Sequence, residues 1–179
     1  MKKQISFKSL SLADLGKNFL ETFNRYQVTN RVWYKENSEF MIKSDHFIDE
    51  WDDKKKRFVI EDLKQCLNKG GAVIAAYDDE GLTGFANVEA KLFGSNKEYV
   101  ELPYIHVSYE KRGFGIGKEL LSRCCREARK LGAKKLYIAA HPSVESQAFY
   151  QAMGCERAAE INPYIVEKEP LDLQLEKKL

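Results

Sequence analysis

Residues 111–121 read KRGFGIGKELL, with glycine at 113, 115 and 117 and a helical leucine pattern starting directly behind the last of them. Ordering a glycine carries a larger entropy penalty than ordering any other residue, so three at the mouth of a helix mark backbone conformations or clearances that side chains would deny. Just upstream, YVELPYIHV (99–107) has the length and composition of a strand. A strand that turns through glycines into a helix leaves the first helical N–H groups unpaired and facing outward, where the helix dipole favours negative charge. This segment predicts an anion site within an α/β chain.

The rest of the pattern supports that class. Gln4–Lys8 alternates like a short half-buried strand, and Ser11 is placed to cap a helix carrying Leu12, Leu15, Phe19, Leu20 and Phe23. From 24 to 53 no period dominates. A second helix is predicted over 54–68 on Val59, Leu63, Cys66 and Leu67, ending at Gly70 and Gly71. A hairpin follows, with strands 72–77 and 82–93 about the turn DDEG. Behind the glycines, Ile116, Leu120, Cys124, Ala128 and Leu131 keep a helical stripe closed by Gly132, followed by the strand KKLYIAA. A helix over 144–153 would bury Val144, Ala148, Phe149, Ala152 and Met153 with Ser146 and Tyr150 on its flank, and strand-like stretches remain at 156–161 and 171–179.

At 179 residues and 44% apolar content, the chain fits one globular domain with its own core. Cys66, Cys124, Cys125 and Cys155 form no CxxC pair and have no histidine at ligand spacing, which predicts reduced buried thiols and no metal. The start MKKQISFKSLSLADL lacks the apolar stretch of a leader and no run reaches membrane-spanning length, so a cytoplasmic protein with no membrane partner is expected. A formal charge of +2 is too small to predict nucleic-acid binding.

Spacing decides which anion. A dinucleotide fingerprint starting at Gly113 requires glycine at 118, where Lys118 stands; a Walker loop ending in Gly117 and Lys118 requires glycine at 112 and Ser or Thr at 119, where Arg112 and Glu119 stand. The segment does match R-x-x-G-x-G, Arg112 to Gly117, followed by Leu120 and Leu121. In this it resembles the GNAT superfamily of N-acetyltransferases, whose corresponding loop holds the pyrophosphate of acetyl-CoA. SVESQAFYQAMGC (143–155) is similar to the family's later N-x-x-S/A-x-x-x-Y-x-x-x-G segment, with Ser143 in place of the asparagine.

The resemblance implies a mixed, mostly antiparallel central sheet of about six to seven strands flanked by about four helices, with a splayed pair of parallel strands holding coenzyme A. It divides a single domain over 1–179 into an acceptor-side part (1–71), a cofactor-binding core (72–155) and C-terminal strands (156–179). Cofactor contacts are implied at Arg112, Gly113, Phe114, Gly115, Ile116, Gly117 and Lys118, at the main chain of Ile105, His106 and Val107, and at Ser143, Ser146, Phe149 and Tyr150. Glu101 occupies the place of a glutamate that is the general base in many relatives. Period two puts it on the face of Ile105 and Val107, where partial burial would raise its pKa. Tyr150 is the general-acid candidate, and His106 and His141 are further base candidates.

The implied reaction moves an acetyl group from acetyl-CoA to a small amine or a peptide amine. A CoA-binding module without turnover and an acyltransferase for longer thioesters are the alternatives, and a homodimer is left open. DHFIDEWDD (45–53) sets five carboxylates among Phe47, Ile48 and Trp51, either a solvated helix edge or an attractor for a cationic amine such as a polyamine, an aminoglycoside, a streptothricin-like antibiotic or a lysine side chain.

Overall fold

The computed structural model describes residues 4–179; residues 1–3, where the expectation of no leader begins, lie outside the described residues. In order the elements are β1 (Ser6–Ser9), β2 (Tyr26–Glu36), β3 (Glu39–Glu50), α1 (Asp53–Asn68), β4 (Ala72–Asp78), β5 (Gly81–Val88), β6 (Tyr99–Glu101) and β7 (Ile105–Val107). They continue as α2 (Ile116–Lys130), β8 (Lys135–Ala140), α3 (Val144–Ala152), β9 (Glu156–Arg157), α4 (Pro163–Lys168) and β10 (Leu173–Lys178). Eight strands make two four-stranded halves, β1-β4-β5-β7 and β6-β8-β10-β9, while β2 and β3 form a separate ribbon. Every pairing is antiparallel except β6 with β8.

The halves meet because β6 and β7 are one run of chain split at Pro103, whose missing N–H interrupts a ladder. Tyr99, Val100 and Glu101 pair with β8; Ile105, His106 and Val107 pair with β5. The split also changes parity. Val100 and Leu102 lie in the cluster with Leu120, Leu136 and Tyr150, and so do Ile105 and Val107. One extra residue at the break, acting like a bulge, swaps even for odd positions. Glu101 therefore does not share the face of Ile105 and Val107; it lies on the side of Tyr104, which packs with Phe85, Val59 and Leu63 of the second cluster.

The sheet is a middle layer. α2 buries Ile116, Leu120, Leu121, Cys124, Cys125 and Ala128 on one face, joined by the rings of α3. α1 covers the other face with Val59, Ile60, Leu63 and Cys66; it is capped by Asp52, whose carboxylate accepts from Lys55 N–H at 2.7 Å. Beside it, Ile165 of α4 packs on Tyr99 and Tyr137.

Three expectations are corrected. The helix over 12–23 is a single 3₁₀ turn, Leu12–Asp14. The Asp14 carboxylate is held by Ser11 N–H at 2.8 Å and Lys8 at 2.6 Å, and Gly16 offers no helical continuation. Leu15, Leu20 and Phe23 reach the core from turns instead. The unpatterned stretch 24–53 is the β2–β3 hairpin, closed by Asn37 and Ser38 with φ of 49° and 68°, both in the left-handed region that a two-residue turn requires. At the C-terminal end, the strand-like reading of 156–161 gives way to a two-residue β9 followed by α4, which Asn162 caps by accepting from Tyr164 and Ile165 N–H, with Pro163 in the first turn.

Candidate active site

Gly113 and Gly115 stand at φ +83° and +80°, and Gly115 is the N-cap of α2. Among the described residues no backbone N–H from Gly113 to Lys118 has a partner; the first intrahelical bond runs from Glu119 N–H to Gly115 C=O at 3.1 Å. A Cβ built on Gly113 or Gly115 would meet nothing within 4 Å, so clear space lies before these amides. At Gly117 a Cβ would stand 3.4 Å from the Phe149 ring and 3.8 Å from Val107, which sets the loop between α3 and β7. Arg112 ties the loop to β7 by donating from Nε to Val107 C=O at 3.2 Å. Phe114 and Lys118 are exposed.

The space continues between β7 and β8. Tyr104 C=O accepts from Asn87 N–H at 3.0 Å and Ser108 N–H donates to Thr83 C=O at 2.8 Å, with His106 opposite Phe85 between them. Alternation in an antiparallel ladder commits positions 104, 106 and 108 to β5 and turns the main-chain groups of Ile105 and Val107 towards β8. β8 does not meet them, since its last bond to this run is Leu102 N–H to Tyr137 C=O at 2.9 Å. The strands diverge from Pro103 onward, and the expected trio of Ile105, His106 and Val107 becomes a pair, because the His106 N–H and C=O belong to the ladder. A run of free amides leading into a gap edged by free strand groups fits a diphosphate joined to an extended amide-bearing arm, the form of coenzyme A.

Tyr150 is the buried residue of α3, 9% exposed, whereas Ala148 and Ala152 face solvent. The expected stripe is rotated because turning Phe149 and Tyr150 inward removes more apolar area from water than two methyl groups would. Burial pushes the Tyr150 phenol above its usual range, with Cys155 and Asp172 adding and Arg25 opposing. Glu101 is half-buried, and that burial raises its carboxyl; Lys168 opposes and nearby Glu89 adds.

His106 sits among Trp51, Phe85 and Tyr104, its ring 4.9 Å from Trp51, and burial with Arg25 and Arg112 keeps it neutral. His141 accepts from Ser143 N–H at Nδ1 (3.2 Å), which leaves the Nε2 proton for Asp49 at 3.0 Å. Both its nitrogens are engaged. Ser143 is fully buried, its hydroxyl accepting from Ser146 N–H and Gln27 and donating to Ser146 Oγ at 2.8 Å, so it caps α3 instead of reaching the gap.

The model of the Acetyltransferase (GNAT) family matches residues 30–155. The chain belongs to this family. Among solved structures this GNAT chain is similar to a nourseothricin acetyltransferase, at 17% identity and a TM-score of 0.69 over 97% of this chain and 98% of that one. It is also similar to a protein assigned as a streptothricin acetyltransferase from Bacillus anthracis str. Ames in complex with acetyl coenzyme A, at 16% identity and 0.73 over 98% and 99%. A third is the paia N-acetyltransferase from Thermoplasma acidophilum in complex with coenzyme A, at 16% and 0.60 over 98% and 99%. No curated protein matches the sequence. No described helix is long and apolar enough to cross a membrane.

One face of the ribbon, of which the sequence reading marks only the stretch 45–53, borders the His141–Ser143 corner. Gln27 pairs with Asp49 and Thr29 with Phe47, and Trp51 N–H donates to Arg25 C=O at 3.2 Å. Gln27 and Asp49 both bond the His141–Ser143 corner, and the Phe47 ring lies 5.7 Å from His141. Arg25 is 7% exposed, above the Trp51 ring at 5.9 Å. Of the DHFIDEWDD carboxylates, Asp49 turns to the site and Asp52 caps α1.

Proposed function

We propose that this chain is an N-acetyltransferase, one domain over 1–179, that moves the acetyl group of acetyl-CoA to a primary amine by direct transfer in a ternary complex. The observation that supports it is the run of free amides of 113–118 followed by the free N–H groups of Ile105 and Val107 where β7 leaves β8, with the buried Tyr150 on the α2 face of the same sheet.

Bound acetyl-CoA supplies an acetyl group already activated as a thioester. The amides from Gly113 to Lys118, aided by Arg112 and Lys118, hold the diphosphate. A main-chain N–H of Ile105 or Val107 points at the place where carbonyl oxygen gains charge. Glu101, raised by burial, accepts the proton that the acceptor ammonium must lose before the neutral amine attacks, while its place on the Tyr104 side puts it across the sheet from α2. Tyr150 keeps its proton at neutral pH and gives it to the departing sulfur as the new C–N bond replaces C–S, and the proton that the nitrogen sheds on becoming an amide restores the phenol.

Free-thiol release from acetyl-CoA, measured against a panel of amines, tests this directly. Amine-dependent release that Tyr150→Phe lowers is the expected result. Release that ignores every amine, or that only longer acyl thioesters support, overturns it.

A further inference from the structure

Among the described residues, Arg25 is a buried cation with two donors unsatisfied, in contact with the Trp51 ring and in the field of Asp49. It is 7% exposed, its Nε and Nη1 are enclosed, and neither has a hydrogen-bond partner. Enclosing a guanidinium without an oxygen acceptor is strongly unfavourable, and two orphaned N–H donors on different edges of the group call for an anion that offers more than one acceptor oxygen, as a carboxylate does.

The position of Arg25 is fixed. Next to it, Asn24 N–H donates to Ser108 Oγ at 3.0 Å and Asn24 C=O accepts from Tyr109 N–H at 2.9 Å, which ties the base of the ribbon to the turn leading into the glycine loop. The guanidinium lies over Trp51, whose ring touches His106 of β7. Through that ring the guanidinium stands on the His106 side of β7, across the sheet from Tyr150. The nearest acid, Asp49, is already bonded to His141.

Coenzyme A places no charge at its thioester end, and its phosphates belong to the amides of the glycine loop. An anion at Arg25, one ring away from His106, must therefore come with the acceptor. We infer that Arg25 is the receptor for a carboxylate on the acceptor, which makes the acceptor an amino-carboxylate such as a free amino acid. This rests on the transferase reading above. One acid acts on Arg25 and suits the other half of such a zwitterion: Asp49, which with Glu169 also acts on Asp172, so that an ammonium close to Asp49 relieves repulsion among carboxylates. Gln27 and Thr29, from the same ribbon face, add uncharged donors; the Thr29 hydroxyl is buried and also has no partner.

The experiment compares thiol release with amino acids against release with their decarboxylated counterparts, L-lysine against cadaverine among them, and with nourseothricin. The best acceptor is expected to carry a carboxylate and to exceed its decarboxylated counterpart by about 100-fold in kcat/KM. Arg25→Met should collapse that ratio to within about threefold, chiefly through KM, and Arg25→Lys should restore part of it. Because Met removes a buried charge with unsatisfied donors, the variant should melt no lower than the parent chain, which separates lost recognition from lost folding.

Decarboxylated amines or nourseothricin serving better than every amino-carboxylate would overturn the inference and leave the transferase standing. An Arg25→Met loss in kcat equal for all acceptors would also overturn it, assigning the charge to the reacting carbonyl. If no amine releases thiol, the transferase reading fails by itself. Arg25 is then judged by whether amino acids raise the melting temperature of the CoA-saturated parent but not of Arg25→Met, and no such difference overturns it.

Discussion

The two sides of the gap between β7 and β8 are built on opposite plans. On the α2 side, apolar positions and buried positions coincide: Leu120, Leu121, Cys124 and Ala128 are at most 1% exposed and pack on Leu136 and Ile138. On the ribbon side they do not. Val28, Phe40, Ile42 and Ile48 are 39–52% exposed, while Arg25, Gln27, Thr29 and Asp49 face the protein. The cofactor side is held by hydrophobic burial and reads as an ordinary amphipathic pattern. The ribbon turns polar groups inward, which is unfavourable for a fold and useful for a site that must recognise a polar acceptor.

The contrast can be tested by substitutions on both sides, beginning with chemistry at the apex of the gap. Glu101→Gln should lower kcat/KM by about 10²–10⁴-fold. In the parent chain kcat/KM should rise with pH through the Glu101 pKa, which lies above the usual carboxylate range, because only the ionised form accepts a proton. A variant that keeps rate and profile would move the base elsewhere.

Next in size is the core of α2. Leu120→Ala should destabilise by about 3 kcal/mol, lowering Tm by roughly 6–12 °C, since the site is fully buried. A shift under about 2 °C in a melting scan would show that this side is not the stabilising one.

Asp172 probes the polar side. Burial, with Glu169 and Asp49, raises its pKa to about 7 from 3.8. A carboxyl with a raised folded-state pKa weighs nothing on stability below its unfolded pKa, and its penalty grows as pH climbs through the folded one. Asp172→Asn should therefore melt like the parent near pH 4 and gain up to about 2 kcal/mol by pH 8. Equal melting at pH 8 would contradict the burial of this acid. The smallest effect belongs to the outer face of the ribbon: Ile48→Thr, at a half-exposed position, should change stability by no more than about 0.5 kcal/mol. A larger loss would mean that this face is covered.

What could be read in the sequence follows the same division. The glycine loop, α1, α2, the β4–β5 hairpin and β8 were legible because their periods match their burial. The ribbon was illegible because Val28, Phe40, Ile42 and Ile48 face outward while Arg25, Gln27 and Thr29 face inward beside Val32 and Phe47, so no clean buried stripe stands out between 24 and 53. Two signals were present but local. Pro103 inside a strand run marks the break that splits the sheet and swaps the face of Glu101, and Asn162–Pro163 is a cap followed by a first-turn proline, which starts α4. Arg25 carried no signal at all, since an isolated arginine before a strand is ordinary; only its enclosure with two donors unsatisfied distinguishes it. Ser143 is the reverse case, a position matched to the family segment by spacing whose hydroxyl is consumed in capping α3.

The most direct test of the account is calorimetric titration of coenzyme A and of pantetheine, which lacks the diphosphate, into the parent chain and into Gly115→Val. A β-branched residue at φ +80° is strained, and its side chain enters the space before the free amides. The account expects coenzyme A to bind the parent at least about 100-fold more tightly than pantetheine, and Gly115→Val to lose most of that difference while keeping a cooperative melt. Equal affinity for the two ligands, or a Gly115→Val chain that binds coenzyme A as the parent does, would contradict it.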